Sequence, residues 1–145
     1  MARESDAPGF SAEERAAMKE YARELKTSRA KGRTKADSEA EVLAKIAEMP
    51  EADRVMAERI HALVKEHAPM LGTKTWYGMP AYTRDGKVVC FFQAAAKFKA
   101  RYATFGFEGT ADLDEGDMWA TSFALLRIGP AEEQRIVELL RRAVD

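Results

Sequence analysis

The sequence has too few cysteines for a disulfide framework, because Cys90 is the only one in 145 residues. A single thiol also excludes a zinc site built from several cysteines, and it is typical of the reducing cytoplasm. Residues 1–6 are charged where a secretory signal needs an apolar core. No later stretch is apolar for long enough to cross a membrane. We therefore expect a cytoplasmic protein with no membrane partner.

The sequence also lacks an excess of either charge. Its formal net charge is -1 and its pI is about 6.2, so no overall positive field attracts nucleic acid, which we do not expect as a partner.

Histidine is scarce as well. His61 and His67 fall on one predicted helix, about 240° apart around its axis, so the two cannot bind one metal ion together. We expect His61 to be solvated and His67 to pack at the helix end.

Helical periodicity marks four segments of the chain. Residues 11–26 begin with the capping-box pair Ser11 and Glu14 and carry a narrow, alanine-rich apolar stripe, so this helix either docks loosely or projects. Residues 27–38 hold four basic residues and nothing large and apolar, which predicts a mobile linker. Residues 39–49 and 50–67 form the next two helices, and the last helix begins at Pro130.

Strand patterns fill the region between the third and fourth helices. Asp85-Gly86 predicts a hairpin turn inside residues 73–92, in which Tyr82 faces Val89. Two further strands are expected at residues 101–107 and 121–128. About four antiparallel strands with helices packed on one face predict an α+β domain, a two-layer sandwich. We assign residues 1–38 to an N-terminal helix with a basic flexible linker, and residues 39–145 to the α+β domain.

The most distinctive stretch is Trp-Tyr-Gly-Met-Pro-Ala-Tyr at residues 76–82, followed by Gly-Lys-Val and a Phe-rich strand. These residues resemble the YdhG-like family, a bacterial family of unknown function, and the resemblance extends over residues 39–145. It implies an α+β domain related in shape to frataxins. Because a relative has been described as an iron chaperone, it also implies iron as a cofactor to consider.

Aromatic and long side chains around this motif form the first candidate site. Tyr and Trp combine a large apolar body with a polar tip, and beside a Gly-Met-Pro kink they predict a pocket for a small molecule or a peptide. This favours a non-enzymatic binding protein, and exposed aromatics with an edge strand would permit a homodimer. The same residues are equally compatible with the core. The candidates are Trp76, Tyr77, Met79, Tyr82, Arg101, Tyr102 and Trp119.

The second candidate site is an acidic loop. Carboxylates two and three residues apart can converge on one hard cation, and the resemblance implies a frataxin-like iron carrier that uses such surface acids. Ordinary surface charge is the favoured explanation of the loop. An enzyme ranks last, because Cys90 has no neighbouring base and no acid–base pair has a recognisable spacing. The loop residues are Asp112, Asp114, Glu115 and Asp117.

Overall fold

The computed structural model describes residues 9–28 and 33–145. Residues 1–8 and the middle of the predicted linker, residues 29–32, lie outside the described residues. The helices are α1 (Ala12–Ser28), α2 (Lys35–Ala47), α3 (Glu51–His67) and α4 (Pro130–Ala143), with a short 3₁₀ helix at Ala95–Phe98. The strands are β1 (Gly72–Trp76), β2 (Met79–Arg84), β3 (Lys87–Gln93), β4 (Ala103–Phe107) and β5 (Ser122–Leu125).

The strands form one antiparallel sheet in the order β1-β2-β3-β4-β5. The α+β class is confirmed, and the five-stranded sheet is roughly consistent with the prediction of about four strands. The additional strand, β1, pairs with β2 through Trp76 and Met79. Tyr77 and Gly78 between them form a two-residue hairpin turn where the sequence had suggested a kink.

The second hairpin, β2–β3, differs in register from the prediction. Arg84 pairs with Lys87 around the Asp85-Gly86 turn as expected, but the register shifts between Tyr82 and Thr83. Tyr82 therefore pairs with Cys90, and the predicted pairing with Val89 is wrong. A β-bulge places one extra residue on β3, and a period-two pattern gives no sign of it.

One face of the sheet packs against α2, α3 and α4 to form the core. Val42 and Ile46 from α2, with Ile60, Leu63 and Val64 from α3, are buried against it. The sheet contributes a row of buried aromatic residues together with the thiol, and α4 adds three large aliphatic side chains. These are Tyr82, Cys90, Phe92, Phe105 and Phe107, with Ile136, Leu139 and Leu140.

The opposite face of the sheet carries Trp76 and Phe91, whose half-buried rings meet at a centroid distance of 5.4 Å. Phe91 lies over Gly106, where a Cβ atom would approach the ring to 2.4 Å. Trp76 and Tyr82 therefore stand on opposite faces, because strand residues alternate between the two sides.

The predicted linker, residues 27–38, is wrong at both ends, because Thr27 and Ser28 belong to α1. Lys35 to Ser38 belong to α2, which begins with a capping box between Thr34 and Asp37. Arg33, at the edge of the described residues, donates two hydrogen bonds to the Glu41 carboxylate at 2.7 and 2.8 Å. The sequence left open whether α1 docks or projects. In the structure α1 docks on the domain, through Glu20 and Glu24.

The segment between β3 and β4 contains the 3₁₀ helix. Asp53, buried in the first turn of α3, accepts hydrogen bonds from the Ala95 and Ala96 N–H groups at 3.0 and 3.2 Å. This carboxylate caps the 3₁₀ helix and fixes the position of Lys97 next to the β1–β2 turn.

β4 starts at Ala103 and β5 ends at Leu125, so both strands are shorter than predicted.

Candidate functional site

The β1–β2 turn is the centre of the candidate site. Tyr77 and Gly78 both have positive φ, at 53° and 80°, as a type I′ hairpin turn requires. Both of their backbone N–H groups donate to one carboxylate, that of Glu24 on α1, at 2.8 and 2.7 Å. Two converging N–H groups of this kind form a concavity that suits an anion. We call Tyr77 and Gly78 the amide turn.

Two lysines stand beside the amide turn. Lys45 on α2 and Lys97 on the 3₁₀ helix both contact the Glu20 carboxylate, at 2.7 and 3.3 Å. Partial burial raises the pKa of Glu20, but the hydrogen bond from Lys45 and the charge of Lys97 outweigh burial, so the net pKa is lowered. The hydrogen bond to Glu20 raises the pKa of Lys45. Lys45 and Lys97 of the domain are thus paired with a carboxylate of α1.

Acidification should weaken the docking of α1. A carboxyl group whose pKa is lowered by folding stabilises the folded state above its unfolded pKa, which is 4.5 for Glu20. That stabilisation is lost as the pH falls through the lower pKa of the folded state. We expect the protection factors of the α1 amides to fall below about pH 4.5, ahead of those in α3. An equal fall in both helices would contradict this expectation.

A ring stack completes the contact between α1 and the amide turn. Tyr21 lies on Tyr77 with centroids 4.2 Å apart and an interplanar angle of 12°. The Tyr77 ring also meets Trp76 edge-on at 5.3 Å. The Tyr77 ring thus faces α1 at the turn, where it provides a flat apolar surface next to the N–H groups.

A cleft of about 240 Å³ opens next to the amide turn. Gly78 lines this cleft and also donates to Glu24, so the cleft lies next to the carboxylate contact. Its other lining groups are the apolar Met49, Pro50, Met79, Phe92, Ala94 and Ala96, and the charged Glu20, Lys45, Glu48 and Lys97. The site therefore combines an apolar recess with positive charge and oriented N–H donors.

The seven residues of the predicted aromatic pocket do not meet at one place. Trp76, Tyr77 and Met79 lie at or next to the amide turn, but Tyr82 is sealed on the helix-covered face. Arg101 lies over the ring of Tyr102 at 5.2 Å. Among the described residues, no ring contact joins this pair or Trp119 to the turn. Both Tyr102 and Trp119 are exposed.

Tyr82 belongs to a buried polar cluster instead. Its hydroxyl lies 2.9 Å from His61 Nδ1, and His61 Nε2 lies 2.7 Å from a Glu39 carboxylate oxygen. The prediction that His61 is solvated is wrong, because α3 turns it toward the sheet. The order carboxylate, imidazole, hydroxyl is that of a proton relay, but burial raises the pKa of Tyr82 and no part of its side chain reaches solvent. The cluster therefore joins α2, α3 and β2.

Cys90 lies next to this cluster and is also sealed. Burial raises the pKa of its thiol, so the nucleophilic thiolate is disfavoured. The side chain packs in the core as a small apolar group, as the sequence suggested.

The acidic loop stands apart from the amide turn. Asp112, Asp114, Glu115 and Asp117 are all exposed. Within residues 9–28 and 33–145, no group of three or more His, Cys, Asp or Glu side chains is placed as metal ligands would be. The iron hypothesis thus has no preassembled site in the described part of the chain.

A larger cleft of about 790 Å³ lies between α3 and the segment that links β5 to α4. Its principal charged groups, Arg59 and Glu133, bind each other, with Arg59 Nε 2.7 Å from a Glu133 oxygen. Leu126 and Val55 line it and are largely exposed. Glu51, Glu58 and Arg127 also line this cleft.

Comparison of the chain with protein-family models, curated protein sequences and solved structures gives no significant match. The resemblance to the YdhG-like family therefore stays a prediction that rests on the motif. None of the helices in the described ranges is both long and apolar enough to cross a lipid bilayer.

The polar half of the site was missed by sequence reasoning. Glu20 and Glu24 are four residues apart, so they share a helix face with Tyr21 next to them. That spacing indicates an acidic helix face. The lysines that bind Glu20 on this face, Lys45 and Lys97, lie 25 and 77 residues away from it along the chain. Sequence alone does not pair them.

Proposed function

We propose that this chain is a cytoplasmic, non-enzymatic binding protein, and that its site binds a carboxylate at the amide turn. The proposal rests on one observation: the N–H groups of Tyr77 and Gly78 both donate to a single carboxylate, that of Glu24. Charge-assisted hydrogen bonds of this type are about twice as strong as neutral ones. They also define the geometry of the group that binds.

The surroundings of the turn narrow the ligand class. Lys45 and Lys97 add positive charge within reach of a second acidic group, as their contacts with Glu20 illustrate. Met49 and Met79 offer an apolar recess in the same cleft. A matching ligand is a peptide or small molecule with two carboxylates next to an apolar or aromatic group.

Chemical rescue tests the proposal directly. Glu24→Ala removes the bound carboxylate and leaves two N–H groups without it, which should lower Tm by about 3–6 °C, the usual effect of losing a side-chain cap. Acetate at about 0.2 M should then restore about 2–4 °C by occupying the turn. Differential scanning calorimetry at constant ionic strength measures both effects.

The matched control is Glu138→Ala, which removes an exposed carboxylate on α4. We expect this variant to melt near the parent temperature and to show no specific response to acetate. Chloride and acetamide should not rescue Glu24→Ala, because neither presents two anionic oxygens. Rescue by all three, or by none, would overturn the assignment of the amide turn as a carboxylate site.

A further inference from the structure

α1 is held by the same features that define the site. None of its residues belongs to the hydrophobic core cluster, and Ala17 is its only buried apolar side chain among the described residues. Its attachment is polar: Glu24 binds the amide turn, Glu20 binds two lysines, and Glu13 lies 3.0 Å from Lys99. Because polar contacts hold α1 and it adds no side chain to the core cluster, its attachment is similar to that of a bound peptide ligand.

The contact residues of α1 form one stripe along the helix. Glu13, Ala17, Glu20 and Glu24 recur at spacings of four, three and four residues, which places them on a single face. Tyr21 stands next to that face and stacks on Tyr77. The stripe presents acids at i and i+4 with an aromatic residue at i+1, and the opposing surface presents three lysines and the two N–H groups. The two surfaces are complementary in charge.

We infer that α1 is a built-in competitor for the site, and that the partner which displaces it is an acidic helix carrying the same Glu-Tyr-x-x-Glu arrangement. This inference rests on the proposed function, since it takes the amide turn as a carboxylate site. A helix laid against a complementary surface is a common mode of peptide recognition. Here the chain itself provides the first occupant, so a partner binds only the fraction of molecules in which α1 is undocked.

A labelled synthetic peptide of residues 12–28 tests the inference on the full-length chain. The Glu20→Ala/Glu24→Ala variant keeps α1 but removes its two main anchors, so the peptide should bind it at least about tenfold more tightly than it binds the parent protein. Fluorescence anisotropy measures both affinities. Binding to the variant should weaken steeply with salt, since charge complementarity drives it. A control peptide with Gln in place of both acids should bind at least about tenfold more weakly.

The outcomes separate this inference from the proposed function. If acetate rescues Glu24→Ala but the peptide fails to bind the double variant, the carboxylate site stands and the helical partner is wrong. If acetate rescue fails, the site itself is wrong. Equal affinity of the peptide for parent and variant would overturn the competition. A parent dimer that dissociates in the double variant would assign the occupant to α1 of a second copy. Glu24→Ala alone serves as the acceptor if the double variant does not fold, as circular dichroism will show.

Discussion

Tyr82→Ala is expected to lower the free energy of unfolding by about 3–5 kcal/mol, the usual range for deleting a fully buried aromatic ring. The ring has no exposed surface and packs in the core between α3 and the sheet. The substitution also leaves His61 Nδ1 without its hydroxyl partner. Urea denaturation monitored by circular dichroism measures the loss. Tyr102→Ala, at an exposed ring, is the control and should change stability by about 1 kcal/mol or less.

Tyr82→Phe separates the ring from its hydroxyl. The phenylalanine keeps the packing but leaves His61 Nδ1 buried without a partner, which should lower the free energy of unfolding by about 1–3 kcal/mol. The hydrogen bond from His61 lowers the pKa of Glu39, and Lys65 adds to that effect, so the far end of the cluster stays anionic at neutral pH. A Phe variant as stable as the parent would show that the hydroxyl adds nothing. An Ala variant that loses less than about 1 kcal/mol would contradict the burial of the ring.

Local sequence signals predicted the helices and the class of the fold well. The spacing of Val42, Ile46, Ile60 and Val64 marks the buried faces of α2 and α3, because helical periodicity records burial directly. The Asp85-Gly86 turn was also predicted, since its type depends on two residues alone. The β-bulge at Val89 was not, because its neighbours on both sides are apolar and either register places an apolar side chain in the core.

The site was harder to predict than the fold. The motif at residues 76–82 was recognised as distinctive, and four of its residues, Trp76 to Met79, lie at or next to the amide turn. Tyr82 was assigned to the same pocket because it is close in sequence, yet strand alternation places it on the other face from Trp76. The partners of the turn come from α1, α2 and the 3₁₀ helix. Such contacts depend on how the elements pack, and a single sequence does not encode them in any local pattern.

Gly78→Ala is expected to lower the free energy of unfolding by about 1–3 kcal/mol and to weaken the docking of α1. Part of this effect is conformational, because Gly78 has φ of 80° and an L-residue is disfavoured there by roughly 1–2 kcal/mol. The remainder is specific to the site. A Cβ atom would lie 2.5 Å from Glu20 Oε2 and 2.7 Å from Lys97 Nζ, so both side chains must move and their ion pair is lost, at about 0.2–1 kcal/mol.

Gly86→Ala provides the matched control for this prediction. Gly86 has nearly the same φ, 79°, but nothing lies within 4 Å of the added Cβ atom. Its substitution should therefore show the conformational effect alone, about 1–2 kcal/mol, with α1 still docked and its amides still protected from exchange. In a Glu20→Ala background the excess effect of Gly78→Ala should shrink, because the displaced carboxylate is already gone. If the two glycine substitutions were equally destabilising in both backgrounds, close packing of α1 on the amide turn would be refuted, and with it the reason for a glycine in the motif beyond its backbone conformation.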